Sequence, residues 1–278
     1  MTENKFSILI PSWNNLPYLK ICIDSIRKNS RYTHQIIVHV NEGADETATW
    51  LKENEIEFTC SDKNIGICSA LNSAFELSRT DYIMFMNDDM YCCPEWDLFL
   101  WNEIQAIGHE NFFLSSTMIE PNTSGNPCVL APYDFGRNAE TFHEKELLDS
   151  LPKLNFHDWY GSTWPPNVVH RALWKAVGGL SEEFSPGMYS DPDFSMKLWQ
   201  QGVRHFKGIG KSLVYHFQSK STGKVKKNNG RKQFLKKWGV SASYFSKEIL
   251  RSGQPFKGEL PDRIIRPTLK DKVKKLFS

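Results

Sequence analysis

Residues 81–89, Asp-Tyr-Ile-Met-Phe-Met-Asn-Asp-Asp, carry an apolar β-type segment straight into one amide and two carboxylates, Asn87, Asp88 and Asp89. Neighbouring carboxylates repel each other, and a hard divalent cation with oxygen ligands relieves that repulsion while bridging to phosphate oxygens. The chemistry expected here is the binding of a phosphorylated ligand. A second acidic centre stands about a hundred residues on, at Asp191-Pro192-Asp193. Its pattern reads as a helix start with Asp191 as N-cap, Pro192 as first helical residue and Asp193 in the first turn. An aspartate fixed at such a start over a cleft can also accept a hydroxyl proton as a general base. His216 closes a β-type run at Val214-Tyr215, where a histidine can ligate metal or hydrogen-bond phosphate.

Three further turns place polar groups where ligands meet a sheet. Pro11-Ser12-Trp13-Asn14 follows the first apolar run and Asn41-Glu42-Gly43 the second. In the third, Asn64-Ile65-Gly66 leads into small residues and Asn72. Glycine at a strand-to-helix turn permits positive φ or close approach, and the free N–H groups of the helix start suit an anion.

The elements that must hold these groups alternate. Residues 6–10, 36–40, 56–60 and 82–86 read as strands, and 16–26, 44–53 and 68–77 as helices between them. A helix over 96–107 and a strand over 112–118 follow. Residues 120–158 are rich in Pro, Asn, Gly and charge, with a short helix expected over 140–151, and an insertion of this length in a compact domain is expected to be functional. Helices over 171–178 and 192–202 precede two short strands, 204–206 and 212–216. The βαβα order predicts an α/β fold with a mostly parallel, doubly wound sheet and ligands beyond the carboxyl ends of its strands. Helices over 231–238 and 243–250 and a basic amphipathic end over 269–277 make up a C-terminal extension. The division expected is 1–217 for the main domain and 218–278 for the extension.

Lys+Arg 34 against Asp+Glu 32 leaves a net charge of +2 over 278 residues, which does not suggest a nucleic-acid binder. The basic residues crowd the chain from Lys207 onward. None of the six cysteines forms a CxxC pair, so reduced, buried thiols are expected. The sequence shows neither a signal-peptide core nor an 18-residue apolar run, and a cytoplasmic protein is expected. The basic end could rest on the anionic inner face of a membrane.

Taken in order, these motifs resemble the family 2 glycosyltransferases of GT-A fold, over roughly residues 5–217. The resemblance rests on Pro11-Ser12-Trp13-Asn14, Asn41-Glu42, Asn64-Ile65-Gly66-Ile67 with Asn72, Asn87-Asp88-Asp89, and Gly178-Gly179 followed by Glu182-Glu183-Phe184. It implies that Pro11, Ser12, Asn14, Asn41, Glu42, Asn64, Gly66, Asn72, Asn87 and Asp88 bind a nucleotide diphosphate-sugar. Asp89 and His216 would hold Mn²⁺ or Mg²⁺, and Asp191 would be the base, with Asp193 in reserve. The reaction implied is a single inverting displacement onto an acceptor hydroxyl, in a glycan or a lipid-linked acceptor. The chain departs from the family pattern at Asn41 and Asn87, where acids are usual, and at Ser190, where the family has Glu. A sugar-phosphate nucleotidyltransferase would want an early Gly-rich basic loop, which residues 11–15 do not supply. A non-catalytic carbohydrate-binding protein is the other alternative, suggested by nine tryptophans and the two amides.

Overall fold

The computed structural model describes residues 3–154, 156–161, 165–219 and 228–276, leaving out the side chains of 270, 273, 274 and 276. The first half runs β1 (Phe6–Ser12), α1 (Leu16–Asn29), β2 (Gln35–Asn41), α2 (Thr47–Glu53), β3 (Glu57–Ser61), α3 (Gly66–Phe75) and β4 (Tyr82–Phe85). Then come β5 (Met90–Cys92), α4 (Trp96–Ile107), β6 (Phe112–Ile119), β7 (Val129–Leu130), α5 (Glu144–Ser150), β8 (Trp159–Tyr160) and β9 (Asn167–His170). The chain continues through α6 (Arg171–Ala176), α7 (Ser190–Gln200), β10 (His205–His216), α8 (Gly230–Trp238), α9 (Ala242–Tyr244) and α10 (Leu269–Leu276). A π-helical turn, Phe245–Ile249, extends α9.

One α/β sheet with strand order β3-β2-β1-β4-β9-β6-β10-β5 organises the molecule. Its first four strands are parallel, as the βαβα order predicts. Beyond β4 the sheet is mixed, because β9 enters antiparallel between β4 and β6. Strand period two sends alternate residues to opposite faces. On β1, Phe6, Ile8 and Ile10 join α1 and α4 through Ile23, Trp96 and Leu100 in one cluster. Leu9 instead joins α3 and α7 through Leu71 and Met196 in the other. Helices therefore cover both faces.

Two sequence expectations change here. The short strands over 204–206 and 212–216 are one strand, β10, with a bulge between Ile209 and Leu213. Gly208 and Gly210 look like breakers in sequence. In the fold they admit the Trp159 ring and the backbone of Phe156 where any Cβ would collide. The division at 217 is likewise not a packing boundary, since Phe234, Phe245 and Leu250 belong to the same buried cluster as Leu9 and Leu71. Of the cysteines, Cys60 is exposed and the other five are buried and free.

Candidate active site

A cleft of about 910 Å³ opens beyond the carboxyl ends of β1, β2 and β4. One wall is built from Pro11, Ser12, Asn41, Asn64 and Gly66, and Asn87, Asp88 and Asp89 form the floor. The facing wall carries Asp191, and His216 comes in from the end of β10. The two acidic centres, far apart in sequence, thus share one cavity.

Each polar group in the first wall is held. Ser12 Oγ donates to Asp88 Oδ2 at 2.8 Å. Asn41 Oδ1 accepts from the Ile65 N–H at 2.9 Å, tying β2 to the turn into α3. Asn64 Oδ1 accepts from the Gly66 N–H at 2.8 Å. Gly66 has φ +79, and a Cβ there would lie 2.9 Å from Pro186 Cα, so glycine is needed for the approach of the protein's own facing loop. Asn14 and Glu42 stand behind the cleft. Asn14 Oδ1 accepts from the Ala44 N–H at 3.0 Å, while Glu42 Oε2 accepts from Trp13 Nε1 at 2.6 Å and so braces the Trp13 ring, which does line the cavity.

Burial and the adjacent Asp89 charge push the Asp88 carboxyl up to about 7, against the lowering bond from Ser12. Burial also raises Asp89, but the His216 charge and hydrogen bonds from His216 and Ser219 outweigh it and leave Asp89 below its ordinary value. His216 lies between two acids, with Nε2 3.4 Å from Asp89 Oδ1 and Nδ1 2.9 Å from Glu120 Oε1. Burial alone would lower it, yet these two carboxylates carry it up to about 10.

On the facing wall, the chain around Gly187 packs against Ile67, and Gly230 of α8 packs on the Met188 carbonyl where a Cβ would collide. This pressing turns Tyr189 into the left-handed region at φ 73, so Tyr189 and not Asp191 is the N-cap of α7. Asp191 becomes the second helical residue. It lines the cleft, and burial pushes its carboxyl up to about 7. Asp193, the reserve base, faces away and is fully buried. Its Oδ2 accepts from Ser181 Oγ at 2.6 Å, and its Oδ1 accepts from Trp238 Nε1 at 2.8 Å with Lys237 Nζ 2.9 Å away. Asn72 is also removed from the ligand set by its contacts. Its Oδ1 accepts from the Leu180 N–H and its Nδ2 donates to the Leu180 carbonyl, both at 2.9 Å, which clamps α3 to the Gly178-Gly179 turn.

A model of the family described as Glycosyl transferase family 2 matches residues 7–157, more than half of the chain. The chain belongs to glycosyl transferase family 2. An O-antigen biosynthesis protein RfbC of Myxococcus xanthus is 22% identical over 229 residues, covering 76% of this chain and 17% of that protein. Crystal structures of S. aureus TarS 1-349 share the fold. One superposes with TM-score 0.55 at 15% identity, covering 76% of this chain and 60% of the other. Another, in complex with UDP-GlcNAc, gives TM-score 0.52 at 18% identity, covering 77% and 61%. The chain thus spans about a sixth of the length of the curated relative and three fifths of these structures.

Within this family 2 chain, several residues at the cleft or just behind it had no signal in the sequence. Glu120 is one, because the histidine it holds is 96 residues away along the chain. Ala242, Ser243 and Ser246 are others: they come from the C-terminal segment, which the sequence places outside the main domain. None of the described residues of 120–158 lines the cavity, contrary to expectation. Phe135, Leu147 and Leu154 of that stretch pack under Tyr215 and Phe217 in a third apolar cluster. The Gly-, Ser- and Lys-rich stretch 219–224, which in sequence reads either as a cover over a diphosphate or as a solvated loop, lies after Ser219 outside the described residues.

The donor set fits a cation completed by a ligand. Among the described residues, no group of three or more His, Cys, Asp or Glu forms a ready-made cage. Asp89 and His216 instead offer one carboxylate and one imidazole at the cleft, and Glu120 can fix the ring by accepting a hydrogen bond from its Nδ1–H. Magnesium-type sites of this kind draw their remaining oxygens from substrate phosphates and water.

Proposed function

We propose that this family 2 chain is an inverting, divalent-cation-assisted glycosyltransferase that moves a sugar from a nucleotide diphosphate-sugar to an acceptor hydroxyl. The reading is carried by the meeting of Asp88-Asp89 and Asp191 across one cleft of a size suited to a sugar nucleotide. Ser12, Asn41, Asn64 and Gly66 would receive the nucleoside, with Trp13 beside them, and Asp89 and His216 would hold Mn²⁺ or Mg²⁺ at the diphosphate. A bound cation there supplies charge stabilisation to the departing diphosphate.

Asp191 performs the proton transfer. As the acceptor oxygen bonds to the anomeric carbon, its proton passes to the Asp191 carboxylate and the bond from that carbon to the diphosphate oxygen breaks. A carboxyl raised to about 7 is half ionised near neutrality and a stronger base than an ordinary aspartate. One displacement inverts the anomeric centre.

Because the TarS neighbour was solved with UDP-GlcNAc, uridine nucleotides are the first probes. UDP, GDP and dTDP, each with and without Mn²⁺, should be screened by thermal shift, in which selective binding raises the Tm. At least one nucleotide should show a Mn²⁺-dependent rise, and the matching sugar nucleotide should be turned over by wild type but not by Asp191→Asn. No nucleotide-dependent shift, or equal turnover by the variant, would reject the assignment.

A further inference from the structure

We propose that residues 263–275 form a contact surface for an anionic lipid bilayer and set the rim of the cleft beside it. Among the residues whose side chains are described, Leu260 is the last buried apolar one, at 3% exposure. Beyond it Ile264 is 81% and Leu269 82% exposed, the two most exposed large apolar side chains among the described residues. Arg263, Arg266, Lys272 and Lys275 around them are exposed as well.

The acid of this stretch is withdrawn from the surface. Asp271 is 1% exposed and sits in a capping box: its N–H donates to Thr268 Oγ at 3.1 Å, and its Oδ2 accepts from the Thr268 N–H at 3.2 Å and Oγ at 2.7 Å. Its Oδ1 accepts from the Ser241 N–H at 3.1 Å. What faces solvent here is therefore cationic and apolar, the pairing that a bilayer interface takes up, with apolar groups in the acyl boundary and cations at the headgroups. The six cations of 263–275 against one acid exceed the whole-chain surplus of +2, so the rest of the chain is net acidic. With the eight cations and no acid of residues 218–240 before it, this end makes the C-terminal part of the sequence the cationic one.

The link to the site is short, one hydrogen bond and one peptide bond. Ser241, which Asp271 caps, directly precedes Ala242 and Ser243 of the cleft wall. A bilayer under 263–275 would present an acceptor embedded in it to that wall.

The test is sedimentation of the full chain with phosphatidylcholine vesicles, with and without phosphatidylglycerol, at low and high salt. Binding should require phosphatidylglycerol and fall with salt. Each neutralised cation should weaken it about fivefold, so Arg266→Gln with Lys272→Gln should weaken it roughly 25-fold. Ile264→Ser with Leu269→Ser should weaken it by roughly tenfold or more. All four residues are exposed, and an unchanged Tm would confirm that the variants fold. Equal binding to both vesicle types, or variants that bind as wild type does, would overturn the proposal. Self-association without lipid that these variants abolish would mark the surface as a contact between two copies and overturn it too. The measurement involves no sugar transfer, so its outcome is independent of the proposed function.

Discussion

Asp191 and Asp193 stand two residues apart on α7, yet their surroundings separate them. Asp191 faces the cleft with its carboxyl raised to about 7, whereas Asp193 is fully buried and bound to Ser181, Trp238 and Lys237. Asp191→Asn should lower kcat by roughly 10²–10⁴-fold, the usual contribution of a positioned base. In wild type, kcat/KM for the acceptor at saturating donor should rise with pH through about 7 as Asp191 ionises. The stability effect follows from the same shift. The folded state holds the Asp191 proton up to about 7, while the unfolded chain releases it near the ordinary aspartate value of 3.8. Stability lost to this group therefore grows from about pH 4 to about pH 7 and is level above. Asp191→Asn should gain on wild type across that window in thermal melts. Asp193→Ala should do the reverse and destabilise by about 3 kcal/mol in denaturant titrations, because it strands a buried network. Glu120→Gln should weaken Mn²⁺ binding in the presence of nucleotide by roughly 10–100-fold, measured by calorimetry, since the amide cannot hold the His216 ring with the same basicity.

At the scale of elements, the cleft depends on clamps that no single helix or strand supplies. Asn72 of α3 grips Leu180 from both sides, and Gly179 beside it, at φ +61, leaves no room for a Cβ against the Asn72 amide. Asn228 Nδ2 donates to the Phe184 carbonyl at 3.1 Å and the Met188 carbonyl at 3.3 Å, fixing the loop before Asp191 from the C-terminal side. β10 is similarly bound to its surroundings through glycine. Gly208→Ala would drive a methyl into the Trp159 ring, itself held by its Nε1 bond to Thr117 Oγ1 at 2.8 Å. A loss of roughly 1–3 kcal/mol is expected in equilibrium unfolding, with weaker donor binding as His216 at the strand end shifts.

Across the whole molecule, both halves of the chain build the site. The nucleotide-type turns come from residues before 90, the facing wall from 186–192, and a further strip from 242–246. Truncation after 217 should therefore not yield a folded enzyme, since it strips Phe234, Phe245 and Leu250 from the cluster that covers Leu9 and Leu71. Loss of near-UV circular dichroism and of a cooperative melt in the truncated chain would show this. Among the described residues no helix is long and apolar enough to cross a membrane.

Local pattern was enough for the parallel half of the sheet, because its apolar strand runs, amphipathic helices and turn residues are each written in consecutive residues. The ends of β1, β2 and β4, and with them Ser12, Asn41, Asn64, Asp88 and Asp89, were legible for that reason. The antiparallel entry of β9 was not, since four residues after Pro165-Pro166 take their strand character from β4 and β6 on either side. Nor was the partner of His216, the removal of Asn72 and Asp193 from the cleft, or the contribution of Ser243 and Ser246. Each of these is a contact between residues distant in sequence, and such contacts come into being only when the sheet has been assembled and the C-terminal segment has closed over it.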